Sequence, residues 1–204
     1  MHDEAITKAA SLLLPYFARF PGFYLVGGTA LALQIGHRLS VDFDFFSESA
    51  LPVGHLRKVR KVFADHQMAL TYRAPEQLNL TIDEVRVTFF HYPYRLIEPL
   101  TSYKGISVSS VTEIALMKAF SIGKRLSYKD YVDWYFLIRD RHVSLTKVIE
   151  LAEKKFGPDF NDRLFLGQLS SLEDIPVQKI EFLREGVDRA TIQAALQAAV
   201  KELI

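Results

Sequence analysis

Apolar and polar positions alternate in twos through much of the first half of the chain and recur in threes and fours through the second. Residues 23–26 are an apolar run short enough for a buried strand, and Gly27-Gly28 stops it. Residues 29–35, rich in Ala, Leu and Gln, read as a short helix leaving that turn. Residues 41–46 then alternate, so that Asp42 and Asp44 share one face of a strand while Val41, Phe43 and Phe45 share the other. Three more strand-like runs follow at 68–73, 78–82 and 85–91. Asp83-Glu84 closes the last two as a hairpin, without the glycine that a two-residue turn prefers. Residues 94–107 read as connection, running into a short strand at 106–108.

Helical spacing appears first at residues 3–19, where Ile6, Ala9, Ala10, Leu13 and Phe17 share a face and Pro15 kinks or ends the helix. Residues 53–66 form a second helix whose Arg57, Lys58, Arg60 and Lys61 read as a solvated face. From Ser110, spaced from Glu113 as in a capping box, a helix runs to about Arg125. It aligns Lys118, Ser121 and Arg125, and leaves Leu116, Ala119, Phe120 and Gly123 to pack. Ser127 is a good N-cap for a helix over 128–139, with Lys129, Asp130 and Asp133 in its first turns. Helices at 145–156, 159–170 and 189–203 complete the chain, Gly157-Pro158 dividing the first two. The pattern predicts an α/β (α+β) protein. A small mixed sheet with flanking helices occupies 1–108, and a helical region over 109–204 packs across the cleft that holds the ligand.

Composition narrows the class. With 49% apolar residues in 204, the chain can bury a sizeable core and is globular rather than disordered. It has no cysteine, which excludes disulfides, thiolate zinc sites and cysteine nucleophiles. The net charge of +1 is spread evenly, ten basic and ten acidic residues in 1–100 against fifteen and fourteen in 101–204. No global field therefore draws in nucleic acid, and any RNA contact is local. The run Leu12-Leu13-Leu14 ends at Pro15, too short for a signal-peptide core, and no segment reaches the ~20 apolar residues of a membrane helix. A cytoplasmic protein without membrane contact is expected. The six histidines form no metal-ligand pattern.

Asp42 and Asp44 are the first residues that need a chemical explanation. Two carboxylates two apart on a strand built for burial repel each other, and burying either without a partner is costly. A divalent cation removes that difficulty, and oxygen-only ligands suit Mg²⁺ or Mn²⁺ rather than zinc. The Gly27-Gly28 turn at a helix N-terminus offers amide N–H groups to an anion, and Thr29 adds a hydroxyl. A phosphate cradle beside a metal-binding Asp pair points to phosphoryl or nucleotidyl transfer. The plainer reading makes Gly-Gly a tight turn and the two Asp exposed residues of an edge strand.

The whole set, in its order, resembles a known family. Gly27-Gly28-Thr29 followed by Arg38-x-Ser40-x-Asp42-x-Asp44 is similar to the first motif of the polymerase-β-type nucleotidyltransferases. The form Gly-Gly-Thr-Ala-Leu with Arg-x-Ser-x-Asp-Phe-Asp resembles the AbiEii/AbiGii toxins, and Lys118 and Lys129-Asp130-x-x-Asp133 extend the likeness. The resemblance implies a nucleotidyltransferase core that moves a nucleoside monophosphate from a nucleoside triphosphate to an acceptor hydroxyl, with Mg²⁺ or Mn²⁺. RNA is the acceptor it suggests, and a cognate antitoxin the protein partner. Asp42 and Asp44 then hold the metal, while Gly27, Gly28, Thr29, Ser40, Lys118 and Lys129 contact the nucleotide. Arg38 binds phosphate or orients the Asp pair.

One departure stands out. The second strand of the hairpin, where the family keeps a third metal-binding carboxylate, reads Val85-Arg-Val-Thr-Phe-Phe-His91 and holds no acid. Thr88 takes the equivalent place, and its hydroxyl is no base at neutral pH. Asp130 or Asp133 is expected to face the same cleft and to supply a catalytic base, the plainer reading being that both only cap the helix and pair with neighbouring Lys and Arg. The alternative is a catalytically degenerate nucleotide-binding or protein-interaction module on the same fold.

Overall fold

The computed structural model describes residues 1–122, 124 and 127–203. Its strands are β1 (Tyr24–Val26), β2 (Phe43–Ser47), β3 (Met68–Arg73), β4 (Gln77–Ile82), β5 (Val85–His91), β6 (Thr101–Tyr103) and β7 (Ile106–Val108). Its helices are α1 (Lys8–Leu13), α2 (Gly27–Ile35), α3 (His55–Val62), α4 (Val111–Ser121), α5 (Tyr128–Arg139), α6 (Leu145–Phe156), α7 (Asp162–Ser170) and α8 (Arg189–Lys201). The strands form one mixed sheet in the order β3-β4-β5-β2-β1-β7-β6. β1 runs antiparallel to β2 and parallel to β7, and β2 runs parallel to β5.

Alternation along β2 and β5 divides the two faces of this sheet. Phe43, Phe45 and Phe89 meet Phe17, and Phe89 also meets Phe20, on one face, with ring centroids 4.5–6.3 Å apart. Phe63 of the segment after α3 closes that cluster. The other set, Asp44, Phe46, Thr88 and Phe90, looks toward α4. The aromatic cluster fixes the register, because a slip of one residue would bury the carboxylates and expose the rings. It thereby fixes where the two Asp side chains point.

The amino-terminal segment differs from the single helix its pattern predicts. It makes a 3₁₀ turn at Asp3–Ala5, then α1, then a second 3₁₀ stretch at Leu14–Arg19. Ile6 leaves helical geometry to bridge Ser40, and the Thr7 hydroxyl caps α1 by accepting from the Ala10 amide at 3.2 Å. Pro15, which has no N–H to give, lies where α-helix passes into 3₁₀. Residues 94–107 hold β6, a strand that the sequence pattern did not show. It pairs with β7 across Lys104-Gly105, both at positive φ. The hairpin turn does fall at Asp83-Glu84, with φ of 45° and 68°. The Asp83 carboxylate compensates for the missing glycine by binding His66 Nδ1 at 2.6 Å and the Gln67 amide at 3.0 Å.

Helix α4 begins as expected, the Ser110 hydroxyl accepting from the Glu113 amide at 3.1 Å. The reciprocal half of the capping box is absent. Glu113 instead accepts from the Ile97 and Glu98 amides and pairs with buried Lys155 of α6 at 2.8 Å. Helix α4 ends at Ser121, and the expected places of Gly123 and Arg125 on it lie outside the described residues. Among the described residues no helix is long and apolar enough to cross a membrane.

His55, the first residue of α3, is buried among Phe20, Phe23 and Phe89, and its Nε2 has no hydrogen-bond partner. Burial, helped by the charge of Lys58, pushes its pKa down to about 4. The native state therefore holds His55 neutral over a range in which the unfolded chain protonates it. Stability should be full above pH ~6.5 and fall as pH drops from there toward 4, by a few kcal/mol in all. Urea midpoints at pH 7 and pH 5 measure this, and His55→Leu should flatten the difference; an unchanged slope would rule His55 out as its source.

Candidate active site

The β1–β2 register sets Asp44 opposite Val26, one residue before the glycine pair. Gly27 has φ +69°, and a Cβ there would lie 2.8 Å from Asp44 Oδ2. A Cβ on Gly28 would lie 2.6 Å from Arg38 Nη2. Both glycines are thus required by close approach, one to an anion and one to a cation. They also open α2 without a side-chain cap. The Thr29 hydroxyl is turned inward, to the Asp42 main-chain carbonyl and to Ser40 Oγ at 2.8 Å. It ties the start of α2 to the segment that carries the Asp pair.

Asp42 lies one residue before β2 rather than within it, and Val41, expected on the aromatic face, is exposed there. Asp42 nevertheless keeps the strand's alternation and faces the same way as Asp44. Its two oxygens accept from Arg86 of β5, Nε to Oδ1 at 2.9 Å and Nη2 to Oδ2 at 2.7 Å. This hydrogen bond, with the charge of Asp42, raises the pKa of Arg86. Thr88 sits opposite Asp44 in the parallel β2–β5 ladder, the position at which a third acid was sought.

Behind the pair lies a charged cluster that is almost wholly buried. Asp133 accepts from Arg38 at both oxygens, Nε to Oδ1 at 2.7 Å and Nη2 to Oδ2 at 2.9 Å. His37 Nε2 lies 2.7 Å from Oδ1 and Lys118 Nζ 2.6 Å from Oδ2. Lys118 also reaches Asp130 Oδ1 at 2.7 Å. Arg38 and Lys118 thus meet on Asp133, and Lys118 bridges it to Asp130. Burial pushes the Asp133 carboxyl up, but the charges of Arg38 and Lys118 and the His37 hydrogen bond outweigh it and hold it well below the usual range. Burial wins at His37, whose pKa is lowered, so its ring is neutral and donates from Nε2 to the carboxylate.

These groups enclose a polar cavity of about 260 Å³. Gly28, Thr29, Arg38, Ser40, Asp42 and Asp44 line one side, and Lys118, Ser127, Lys129 and Asp130 the other, with Arg86 and Gln178 at its margin. A second cavity of about 330 Å³ shares Asp44 and Lys118 with it and is walled by Phe46, Phe90, Tyr92, Met117 and Phe120. A larger hollow of about 450 Å³, between residues 51–56 and 73–78, contains none of the candidate residues. Every sequence-predicted site residue except Asp133 and Gly27 lines the polar cavity, and Gly27 lines the adjoining one. Asp133 is corrected. It was expected to face the cleft as a base, yet it lies fully buried with both oxygens occupied by cations. The Arg38 guanidinium is held by the same contact, Nε and Nη2 on Asp133 and Nη1 on the Leu39 carbonyl at 3.1 Å, while it lines the cavity.

The residues present suit a hard divalent ion. Asp42 and Asp44 are oxygen donors on one face, which Mg²⁺ or Mn²⁺ can hold with waters and phosphate oxygens making up the rest. Among the described residues there is no cluster of three or more His, Cys, Asp or Glu able to bind a metal.

A family described as nucleotidyl transferase AbiEii toxin, of a Type IV toxin–antitoxin system, matches residues 13–103. An uncharacterized protein of Aquifex aeolicus is 35% identical over 155 residues, 75% of this chain and 73% of that one. The chain belongs to the AbiEii nucleotidyl transferase toxin family. The fold agrees. A candidate nucleotidyltransferase from H. pylori is similar with a TM-score of 0.60 at 15% identity, over 100% of this chain and 96% of that one. MenT4, a nucleotidyltransferase toxin of Mycobacterium tuberculosis, gives 0.58 at 16% identity, over 98% and 84%.

Within this AbiEii-family chain, sequence reasoning passed over three contributors. Arg86 lies in the alternating pattern of β5, on the same face as Thr88, and that alternation was its signal. His37 adjoins Arg38 in sequence, but nothing in spacing tells a buried partner of Asp133 from a surface histidine. Gln178 comes from irregular chain after α7, a stretch given no chemistry. That stretch pairs with the Arg38 segment through Leu39 N to Glu181 O at 2.8 Å and an Arg38–Phe182 bridge.

Proposed function

We propose that this member of the family is a Mg²⁺- or Mn²⁺-dependent nucleotidyltransferase, moving a nucleoside monophosphate from a nucleoside triphosphate to an acceptor hydroxyl, with RNA as the acceptor. The observation that carries the reading is a single polar cavity lined by the Asp42/Asp44 pair, the open N-terminus of α2 and Lys118 with Lys129. Anion donors, cations and metal-binding carboxylates converge there as phosphate chemistry needs.

In this reading the amides of Gly27 and Gly28 and the ammonium groups of Lys118 and Lys129 bind the triphosphate. The ring-walled cavity beside Asp44 takes the nucleoside. Asp42 and Asp44 would hold a divalent ion, whose chemistry there would be to offset phosphate charge. The acceptor oxygen bonds to the α-phosphorus, the bond from that phosphorus to the bridging oxygen breaks, and pyrophosphate leaves with the electron pair. Asp130, the helix carboxylate that lines the cavity, takes the acceptor proton. Asp133 holds Arg38, Lys118 and His37 in place and does not touch substrate. The sheet and the helices after residue 108 work as the two walls of this site, in the cytoplasm where triphosphates are available. A separate antitoxin chain, as the family's description suggests, restrains it.

Incubation with each α-labelled nucleoside triphosphate, Mg²⁺ or Mn²⁺ and total cellular RNA tests the proposal. Label should move to RNA with at least one nucleotide and should require the metal. Nucleotide binding without transfer to any RNA would instead favour a degenerate binding module.

A further inference from the structure

The cavity-facing row of β5 runs Arg86, Thr88, Phe90 beside Asp42, Asp44, Phe46, with Thr88 opposite Asp44 and Phe90 opposite Phe46. Where two-ion phosphoryl chemistry calls for a further acid, this row supplies a guanidinium and a hydroxyl. We propose that the protein works with a single divalent ion, and that the Arg86 guanidinium docked on Asp42 takes the place of the second. The inference rests on the nucleotidyl-transfer reading above and makes it specific.

Lone pairs and charge lead to this conclusion. A carboxylate offers about four acceptor positions, and the fork from Arg86 uses one on each oxygen of Asp42. The remainder can still share one ion with Asp44. A second ion needs a second set of anionic oxygens from the protein, and Thr88 brings none. A second ion close to Asp42 would meet the guanidinium and be repelled. Arg86 is anchored from the strand next to β2, so it stays within reach of Asp42 while most of its side chain remains exposed. Its planar fork matches phosphate oxygens as well as a carboxylate, so it can also offset charge on the nucleotide.

Equilibrium dialysis with Mn²⁺ tests the proposal, first with the ion alone and then with the α,β-methylene analogues of the four common nucleoside triphosphates in turn. The wild-type protein should retain one Mn²⁺ per chain with the bound analogue, and Asp44→Asn should lose it. With the ion alone, Arg86→Ala should bind Mn²⁺ about tenfold more tightly, since a cation a few ångströms from the ion has been removed in a water-like dielectric. The double change Arg86→Ala with Thr88→Asp should retain two. Arg86 is exposed, so Arg86→Ala should keep the wild-type urea midpoint, which is the folding control, and the double variant is compared with wild type by its own urea curve with Mn²⁺ present. Two ions in the wild type, or an affinity unmoved by Arg86→Ala, would overturn the one-ion proposal while label transfer to RNA left the transferase reading intact. No Mn²⁺ bound and no transfer from any nucleotide would overturn both.

Discussion

Asp44→Asn should abolish transfer, by about 10³-fold or more, while leaving the fold in place. The carboxylate projects from the middle of a cavity wall, with Gly27 shaped around its Oδ2 and Thr88 beside it in the ladder. Asparagine keeps the size and one acceptor oxygen but removes the charge that holds a divalent ion. Several kcal/mol of transition-state stabilisation go with that ion, and each 1.4 kcal/mol is tenfold in rate. Asparagine is isosteric with aspartate, so the fold should survive the change. Single-turnover label transfer, with a urea curve as control, gives the answer. Retained transfer at wild-type stability would mean that Asp44 is not the metal ligand.

Asp133→Asn should cost far more in stability than its modest volume change suggests, about 3–5 kcal/mol, by stranding buried cations. Asp133 is fully buried, and its oxygens are the acceptors for Arg38, Lys118 and His37. The asparagine amide would point donors at donors. A chain of this size should lose roughly 6–20 °C in Tm, with an unchanged denaturant slope if two-state unfolding holds. The pH dependence has a definite sign. Asp133 has a depressed native pKa, so its contribution is fully present above the ordinary value of 3.8 and is lost only as pH falls through the lower native value. Wild type and variant should therefore converge only in strong acid. A loss below 1 kcal/mol at pH 7 would show that the cations find other acceptors.

These two carboxylates also mark what could and could not be read from sequence. Asp44 was legible because a strand's two-residue period fixes the face of its side chains, and an acid opposite a row of Phe residues has only one place to go. Gly27 and Gly28 were legible as the point where the strand stops, although they form the first residues of α2 rather than a turn before it. Their tighter reason, contact with Asp44 and Arg38, depends on a ladder and a loop that local pattern does not encode. Asp133 was legible as part of a motif but not in its role. One helical turn separates it from Asp130, and only packing decides which of the two meets the cavity. The strands at 68–73, 85–91 and 106–108 fell as their alternation predicted. Strand β6 did not show, because Thr101–Tyr103 is three residues long and half polar, and it is held by pairing with β7 rather than by its own pattern. Residues 3–19 misled because Ile6 is drawn off to Ser40, a tertiary contact that overrides helical spacing.

The reach of Asp133 along the chain also bears on when activity can arise during synthesis. Its partners His37 and Arg38 lie 96 and 95 residues earlier, and all seven strands precede the helix that carries it. A nascent chain that has emerged only as far as residue 108 can contain the whole sheet with Asp42 and Asp44. It still lacks the anion around which Arg38 and His37 are set, and Lys118 as well. The ribosome must release α5 before Arg38 and His37 can meet their buried carboxylate, so a product ending near residue 108 would hold the sheet without that anchor.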